Sequence, residues 1–362
     1  MNLYDRFQSN DIKYYYDSLT INPLQDAQSA WDFIQKYFKL GGKEKAFDLE
    51  FADKLKLNGR HIHTVSMYYI GCLLSKMIES NLFNTLHELI PGFGENFYYK
   101  FIYSWFLACL YHDTAYVIED EGIFIDRAGI PSFHLNEILK VNKIDYSVFD
   151  HKWTGEPRYT YTKYLVRNYF YYCLTYRGKI DHGIIGGFIL YDRLKKNYEN
   201  KWNEYRSRNS ITDEIQKEHF ELDGLSWRVQ HLDHFAYISD AIIAHNIWYS
   251  KDIDFYRKFG LSRLKESSRN KISKKSNPLL FFLAIVDTIE PTKFFDKLQP
   301  QWIWKNIDIF YSPTDDCVKI EVLTNILNYE TWLEKIKTLE SWLSVKVKHL
   351  PEMKQIVISI IS

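Results

Sequence analysis

Cysteine is scarce. The chain has four in 362 residues, at 72, 109, 173 and 317, and none forms a CxxC pair. Their wide spacing and apolar neighbours exclude a disulfide scaffold and suit buried thiols in a reducing, cytoplasmic compartment. An excess of charge of either sign is also missing: 46 basic residues against 46 acidic ones give a formal net charge of zero. No global field then draws nucleic acid or a membrane surface, and any attraction for phosphate must be local. Long apolar runs are absent too. The longest, Leu279 to Val286, falls well short of the ~20 residues that span a bilayer. The opening stretch MNLYDRFQSNDIKYYY has neither the basic start nor the apolar segment of a secretory leader. Neither a repeat nor a fixed aromatic period is present. The 28 Tyr, 24 Phe and 10 Trp fall mostly on helical spacings, as core and groove-wall residues do, rather than on strands beside a basic strip as in an RNA platform.

What is present is 46% hydrophobic and 25% charged, enough for a large packed core. Residues 1–60 read as a helical lead-in, with a helix over 27–40 stopped by Gly41-Gly42. Ile62 to Ile78 places Ile62, Val65, Tyr69, Ile70, Leu73, Leu74, Met77 and Ile78 at helical intervals, predicting an amphipathic helix with a wide buried face. The stretch 95–118 is apolar nearly all round and predicts an interior helix. Further helices are expected over 163–176, from Asp181 to about 198, over 233–249, and from Pro278, a proline suited to a first helical position. The stretches 120–160 and 199–230 read as insertions in a core covering 61–300. From about 305 the period becomes alternating: Ile307, Ile309, Tyr311, then Val318, Ile320, Val322, a helix over 329–343, and Val345, Val347 and Ile356 to Ile361. The expected fold is mostly α, a helical bundle with a small C-terminal ββαββ appendage over 301–362.

The positions with chemical content are His63, His112-Asp113, His182, His245 and Asp287. Each lies near a predicted helix end or on a helix whose apolar face must turn inward. Imidazole and carboxylate groups buried in an apolar bundle cost several kcal/mol unless paired or bound to a cation, and nitrogen and oxygen donors suit divalent metals. Adjacent His112 and Asp113 can offer two ligands from one turn. For phosphate binding, Lys293 lies within two turns of Asp287, and Arg177 and Lys179 precede His182. The basic stretch 251–276 could frame an anionic entrance or bind short nucleic acid.

The ordered pattern H…HD…H…H…D resembles the HD-domain metal-dependent phosphohydrolase superfamily. The local words agree: Arg60-His61-Ile62-His63-Thr64-Val65-Ser66 with Gly71; Asp181-His182-Gly183 with Gly186-Gly187; and Asp240-Ala241-Ile242 with His245. Val286-Asp287-Thr288-Ile289-Glu290-Pro291 with Lys293 is similar to the ending of the bacterial HD enzymes that cleave diadenosine tetraphosphate symmetrically. Those enzymes are about half as long, carry Lys where Tyr116 stands here, and carry Arg where Lys293 stands. The resemblance implies an HD helical core and two divalent ions, with Fe, Mn, Zn, Co, Ni and Mg all compatible. His63, His112, Asp113 and Asp287 would hold one ion, and Asp113, His182 and His245 the other, with Asp113 bridging. It implies hydrolysis of a phosphoester or phosphoanhydride in a nucleotide, dinucleotide polyphosphate or short oligonucleotide. His112, Asp113, Lys293, Arg177 and Lys179 would serve the reaction.

Rival readings are testable. His231 and His234 compete with His245, but His234 and His245 lie eleven residues apart on one helix, ~16 Å along its axis, and cannot share an ion. His61 points away from His63 and is expected at the surface or behind the ligands. His134 is the strongest histidine outside the pattern. Tyr68, Tyr69, Trp105, Tyr111, Tyr116 and Tyr172 are candidate cavity walls for stacking a base. A nucleotide-binding sensor with an inactive site, and a di-iron oxygenase, are the alternative functions. Exposed strand edges in the appendage would permit a homodimer.

Overall fold

In the computed structural model of the chain, residues 1–8, 28–33, 60–89, 97–116, 147–211, 214–248, 253–267, 271–295, 299–324 and 329–361 are described. The helices are α1 (Leu3–Gln8), α2 (Arg60–Leu74), α3 (Glu79–Leu89), α4 (Phe97–His112), α5 (Lys163–Tyr172), α6 (His182–Asn209), α7 (Gln230–Ala244), α8 (Ile253–Lys258), α9 (Ser262–Ser267), α10 (Pro278–Ile289), α11 (Pro300–Asn306) and α12 (Tyr329–Lys337). The strands are β1 (His219–Leu222), β2 (Leu225–Arg228), β3 (Ile307–Ser312), β4 (Cys317–Val322), β5 (Val345–Leu350) and β6 (Gln355–Ile360). The protein is thus mostly helical, with a small C-terminal antiparallel sheet in the order β3-β4-β6-β5. Among the described residues no helix is long and apolar enough to cross a membrane.

Helix α4 is the axis of the bundle and packs against α2, α6, α7 and α10. Its apolar residues explain this: Phe101, Ile102, Trp105, Phe106, Leu107 and Leu110 cover all sides and are all buried. Close crossings depend on glycine. A Cβ on Gly71 of α2 would lie 2.1 Å from the Trp105 ring, whose Nε1–H donates to the Tyr68 carbonyl at 3.1 Å. On α6, a Cβ at Gly186 would lie 2.3 Å from the Tyr111 carbonyl oxygen, and one at Gly187 2.7 Å from the Ser239 carbonyl oxygen. The Gly186-Gly187 pair therefore lets α6 lie against α4 on one side and α7 on the other.

The C-terminal unit has the expected ββαββ order, but it is fastened to the bundle rather than appended. Ile307, Ile309, Val318, Ile320, Ile356 and Ile358 join the same apolar cluster as Phe101 and Trp105. Arg6 of α1 donates Nε and Nη2 to the buried Asp308 carboxylate at 2.5 and 2.8 Å. A parallel bridge links Ile272 to Leu343.

Some boundaries differ from expectation. Helix α6 does not stop near 198 but runs 28 residues to Asn209, capped by Ser210 at φ 53°. The 199–230 stretch is therefore no simple loop. It holds the end of α6 and the β1–β2 hairpin, turned at Asp223-Gly224, both with positive φ. Tyr198, Trp202, Phe220 and Leu222 form a small separate core beneath it. Helix α5 ends at Tyr172 and widens into a looser turn over Cys173–Arg177 before Gly178 at φ 62°. The four cysteines are buried thiols. Of the helix expected over 27–40, residues 28–33 are described and helical; the rest, with Gly41-Gly42, most of 120–160 and His134, lies outside the described residues.

Candidate metal centre

Five helix ends meet at one place. His63 sits in the first turn of α2, His112 ends α4 with Asp113 in the turn beyond it, and His182 opens α6. His245 caps the C-terminus of α7, and Asp287 lies in the last turn of α10. Asp181 caps α6 by accepting from the Ile184 N–H at 2.9 Å, which fixes where His182 emerges. At Gly183 a Cβ would lie 2.6 Å from the His245 ring, so the missing side chain lets α6 reach that imidazole.

The side chains converge. His63 Nε2 lies 3.3 Å from His112 Nε2 and 3.3 Å from Asp287 Oδ1. Asp113 faces several imidazoles: Oδ2 is 3.5 Å from His63 Nε2, while Oδ1 is 3.3 Å from His112 Nε2 and 3.6 Å from His182 Nε2. The His245 ring centroid is 5.7 Å from that of His112 and 5.8 Å from that of His182. One nitrogen each of His63 and His112 and one oxygen of Asp287 lie within 4.8 Å of one another. Around this group of three stand Asp113, His182 and His245, so the six positions singled out in the sequence lie near one another.

Three of the imidazoles are aimed by their other nitrogen. His112 Nδ1–H donates to the Cys109 carbonyl at 2.7 Å and His245 Nδ1–H to the Ile242 carbonyl at 2.5 Å. His63 Nδ1 pairs with Glu290 Oε2 at 2.7 Å. Each contact assigns a proton to Nδ1 and leaves Nε2 as the nitrogen that could meet a cation, as metal-binding histidines are held. Among the described residues the buried His245 Nε2 has no hydrogen-bond partner, an arrangement that costs free energy unless the atom meets a ligand. Nitrogen and carboxylate donors so placed fit divalent cations.

Electrostatics follow from this crowding. Burial opposes charge on His63, but hydrogen bonds with Asp287 and Glu290 and the charges of Glu290 and Asp113 push it up to about 9. Burial pulls His245 down to about 3, with His112 and His182 adding to the effect. Asp287 resists its burial because Lys293, His112 and His63 hold it well below the usual carboxylate range. Among the described residues the group is most exposed at Asp287 and Lys293, whose side chains are each 20% exposed, and at His182, 14%, against 5% or less for His63, His112 and Asp113.

The phosphate-clamp candidates are distributed unevenly. Lys293 Nζ donates to Asp287 Oδ1 at 2.7 Å, where the group is most exposed. Arg177 is exposed, with its guanidinium carbon 5.6 Å from the Tyr172 ring centre. Lys179 is exposed in the turn before α6. Helices α8 and α9 occupy part of the basic stretch 251–276.

Several expectations are corrected. Of the two places expected for His61 the surface is ruled out, since the residue is buried, 4% exposed. His234 bonds Ser104 Oγ at 2.7 Å in the core, away from the cage. Tyr68, Tyr69, Trp105, Tyr111 and Tyr172 are buried packing residues, not walls open to a base. Tyr116 alone of that set stands at the cage, stacked 3.7 Å over the His182 ring. Two residues were missed. Glu290 is fully buried and takes His63 Nδ1, together with the Thr292 N–H at 3.0 Å and hydroxyl at 2.8 Å. Asn246 offers its amide nitrogen to His182 Nε2 at 2.9 Å. The signal for Glu290 was its place three residues after Asp287, one helical turn further round the same face.

Comparison with known proteins adds nothing to this geometry: no family model, no curated protein and no solved structure matches the chain.

Proposed function

We propose that the protein is a metal-dependent phosphohydrolase of HD type, cleaving a phosphoester or phosphoanhydride of a nucleotide or related substrate. The observation that carries this reading is the convergence of His63, His112, Asp113, His182, His245 and Asp287 from five helix ends into one largely buried cluster. Divalent cations held there would supply Lewis acidity and a water of lowered pKa for attack on phosphorus. The chain's own contribution is positional. Cys109, Ile242 and Glu290 lock the imidazoles, Asp113 faces both groups of histidines, and Lys293 stands beside Asp287, where a phosphate oxygen would arrive. Burial of the remaining walls keeps bulk water from competing with the substrate.

A panel of nucleotides and bis(p-nitrophenyl) phosphate, supplied with Mn²⁺, Fe²⁺, Mg²⁺ or Co²⁺ and read by product mass, tests the reading. Hydrolysis by the wild type, lost by at least a hundredfold in folded His112→Ala and Asp113→Ala, supports it. Undiminished hydrolysis in both variants, or none by the wild type under any metal, overturns it.

A further inference from the structure

Two stretches without an acidic residue lie against each other. One runs from Lys163 to Ile180, along α5 and the looser turn after it, and the other from Tyr256 to Leu264. Asn168 Nδ2 donates to the Phe259 carbonyl at 2.7 Å, and the Phe259 ring centre lies 5.9 Å from that of Tyr172 and 5.3 Å from that of Tyr176. Gly260, at φ 67°, meets the start of α5: a Cβ there would lie 3.4 Å from the Tyr164 hydroxyl oxygen.

A tyrosine is therefore left in solvent on each side of the Phe259-Gly260 turn, Tyr164 59% exposed and Tyr176 41%. Exposed arginines frame the pair. The Arg167 guanidinium carbon lies 5.5 Å from the Tyr164 ring centre, and that of Arg177 lies 5.6 Å from the ring centre of Tyr172, which stacks on Tyr176. Arg257 belongs to the turn itself, its carbonyl accepting from the Gly260 N–H at 3.2 Å. Lys163 stands apart, paired with Asp150.

Arginines bind phosphates as planar forks, and exposed tyrosine rings offer faces on which bases stack. A single strand supplies both partners at once. A duplex hides the faces of its bases, and an acidic peptide or an anionic membrane supplies charge without a row of flat rings. The surface is also tied to the metal centre. Tyr169 of α5 donates its hydroxyl to the Asn246 carbonyl at 2.7 Å and Tyr256 to the Trp248 carbonyl at 3.1 Å, in the turn just past His245.

We infer that α5 and the Phe259-Gly260 turn form a binding surface for single-stranded nucleic acid, with Tyr164 and Tyr176 stacking bases and Arg167, Arg177 and Arg257 meeting phosphates. The substrate class that follows, an oligonucleotide held beside the centre that cleaves it, rests on the phosphohydrolase reading. The surface itself does not.

The test is fluorescence anisotropy of the full chain in EDTA, with a labelled oligo-dT and an abasic strand carrying the same number of phosphates, over a range of salt concentrations. Oligo-dT should bind at least tenfold more tightly than the abasic strand. Tyr176→Ala should weaken oligo-dT by at least ~5-fold and leave the abasic strand unchanged, while Tyr176→Phe keeps the wild-type affinity. Arg167→Gln combined with Arg257→Gln should weaken both strands and flatten the log–log salt dependence by ~0.7 per lost contact. Absence of oligo-dT binding at low salt, equal affinity for the two strands, or tighter binding of duplex or of anionic lipid vesicles overturns the surface. So does unchanged binding in Tyr176→Ala or unchanged salt dependence in the arginine variant. Hydrolysis of bis(p-nitrophenyl) phosphate with added metal is scored separately. Tyrosine-dependent binding by a chain that hydrolyses nothing keeps the surface and removes the phosphohydrolase reading; hydrolysis without such binding does the reverse.

Discussion

Replacing Gly186 by alanine sets two opposing effects against each other. In an ordinary helix interior the change stabilises, by ~1 kcal/mol, because alanine restricts the unfolded chain and favours the helix. Here the new Cβ would lie 2.3 Å from the Tyr111 carbonyl oxygen, where ordinary contacts begin at 3.4 Å. The obstacle is backbone and cannot rotate away, so α6 must move from α4 by about 1 Å. Overpacking of this kind costs ~1–3 kcal/mol, and a shift this large belongs at the upper end, leaving a net loss of about 2 kcal/mol. The displacement also acts one turn from His182, whose Nε2 is 3.6 Å from Asp113 Oδ1. Moving apart groups that must act together by ~1 Å can lower a rate on the order of 10²-fold. Urea unfolding and metal-supported hydrolysis would be measured beside Gly155→Ala, whose new Cβ meets nothing within 4 Å and should be neutral. A Gly186→Ala protein as stable and active as the wild type would refute the claim that this crossing sets the cage.

Two other perturbations probe separate parts of the account. Glu290→Gln removes the carboxylate that aims His63, and losses of this kind lower metal affinity or activity by ~10–100-fold; competition with a fluorescent chelator would reveal an unchanged affinity and so contradict that role. Asp240 tests the titration argument. Burial raises its carboxyl from 3.8 to about 7, against hydrogen bonds from the Thr160 hydroxyl and N–H. The folded chain keeps this proton longer than the unfolded chain, so the group's contribution is fully present below pH ~4 and is lost as pH rises to 7. At ~1.36 kcal/mol per pH unit the loss from pH 5 to 8 is about 2–3 kcal/mol. Asp240→Asn should show a correspondingly flatter profile in urea unfolding, and parallel profiles would count against it.

The sequence carried the mostly helical fold and the ββαββ unit, and it singled out six side chains that the structure brings near one another, each for a physical reason. Helices α2, α4 and α10 combine strong apolar periodicity with histidine or aspartate at their ends, and burial of such groups demands a shared partner. What stayed hidden depends on third dimensions of packing. The far half of α6 is largely polar, and only the hairpin residues Phe220 and Leu222 show what Trp202 packs against. His61 is buried because the chain covers both faces of the first turn of α2, which helical spacing alone cannot show. The tyrosines called walls are core because so many aromatic rings fill the bundle itself.

The cage itself is tested most directly by its metal content. Inductively coupled plasma mass spectrometry of the purified chain after loading with Mn²⁺ or Fe²⁺, with anomalous scattering from crystals to place the ions, should give two ions per chain between the imidazoles. Asp113→Ala, which removes the carboxylate facing both histidine groups, should hold fewer than one. A wild type that binds no stoichiometric metal, or ions located away from His63, His112 and His182, would contradict the account.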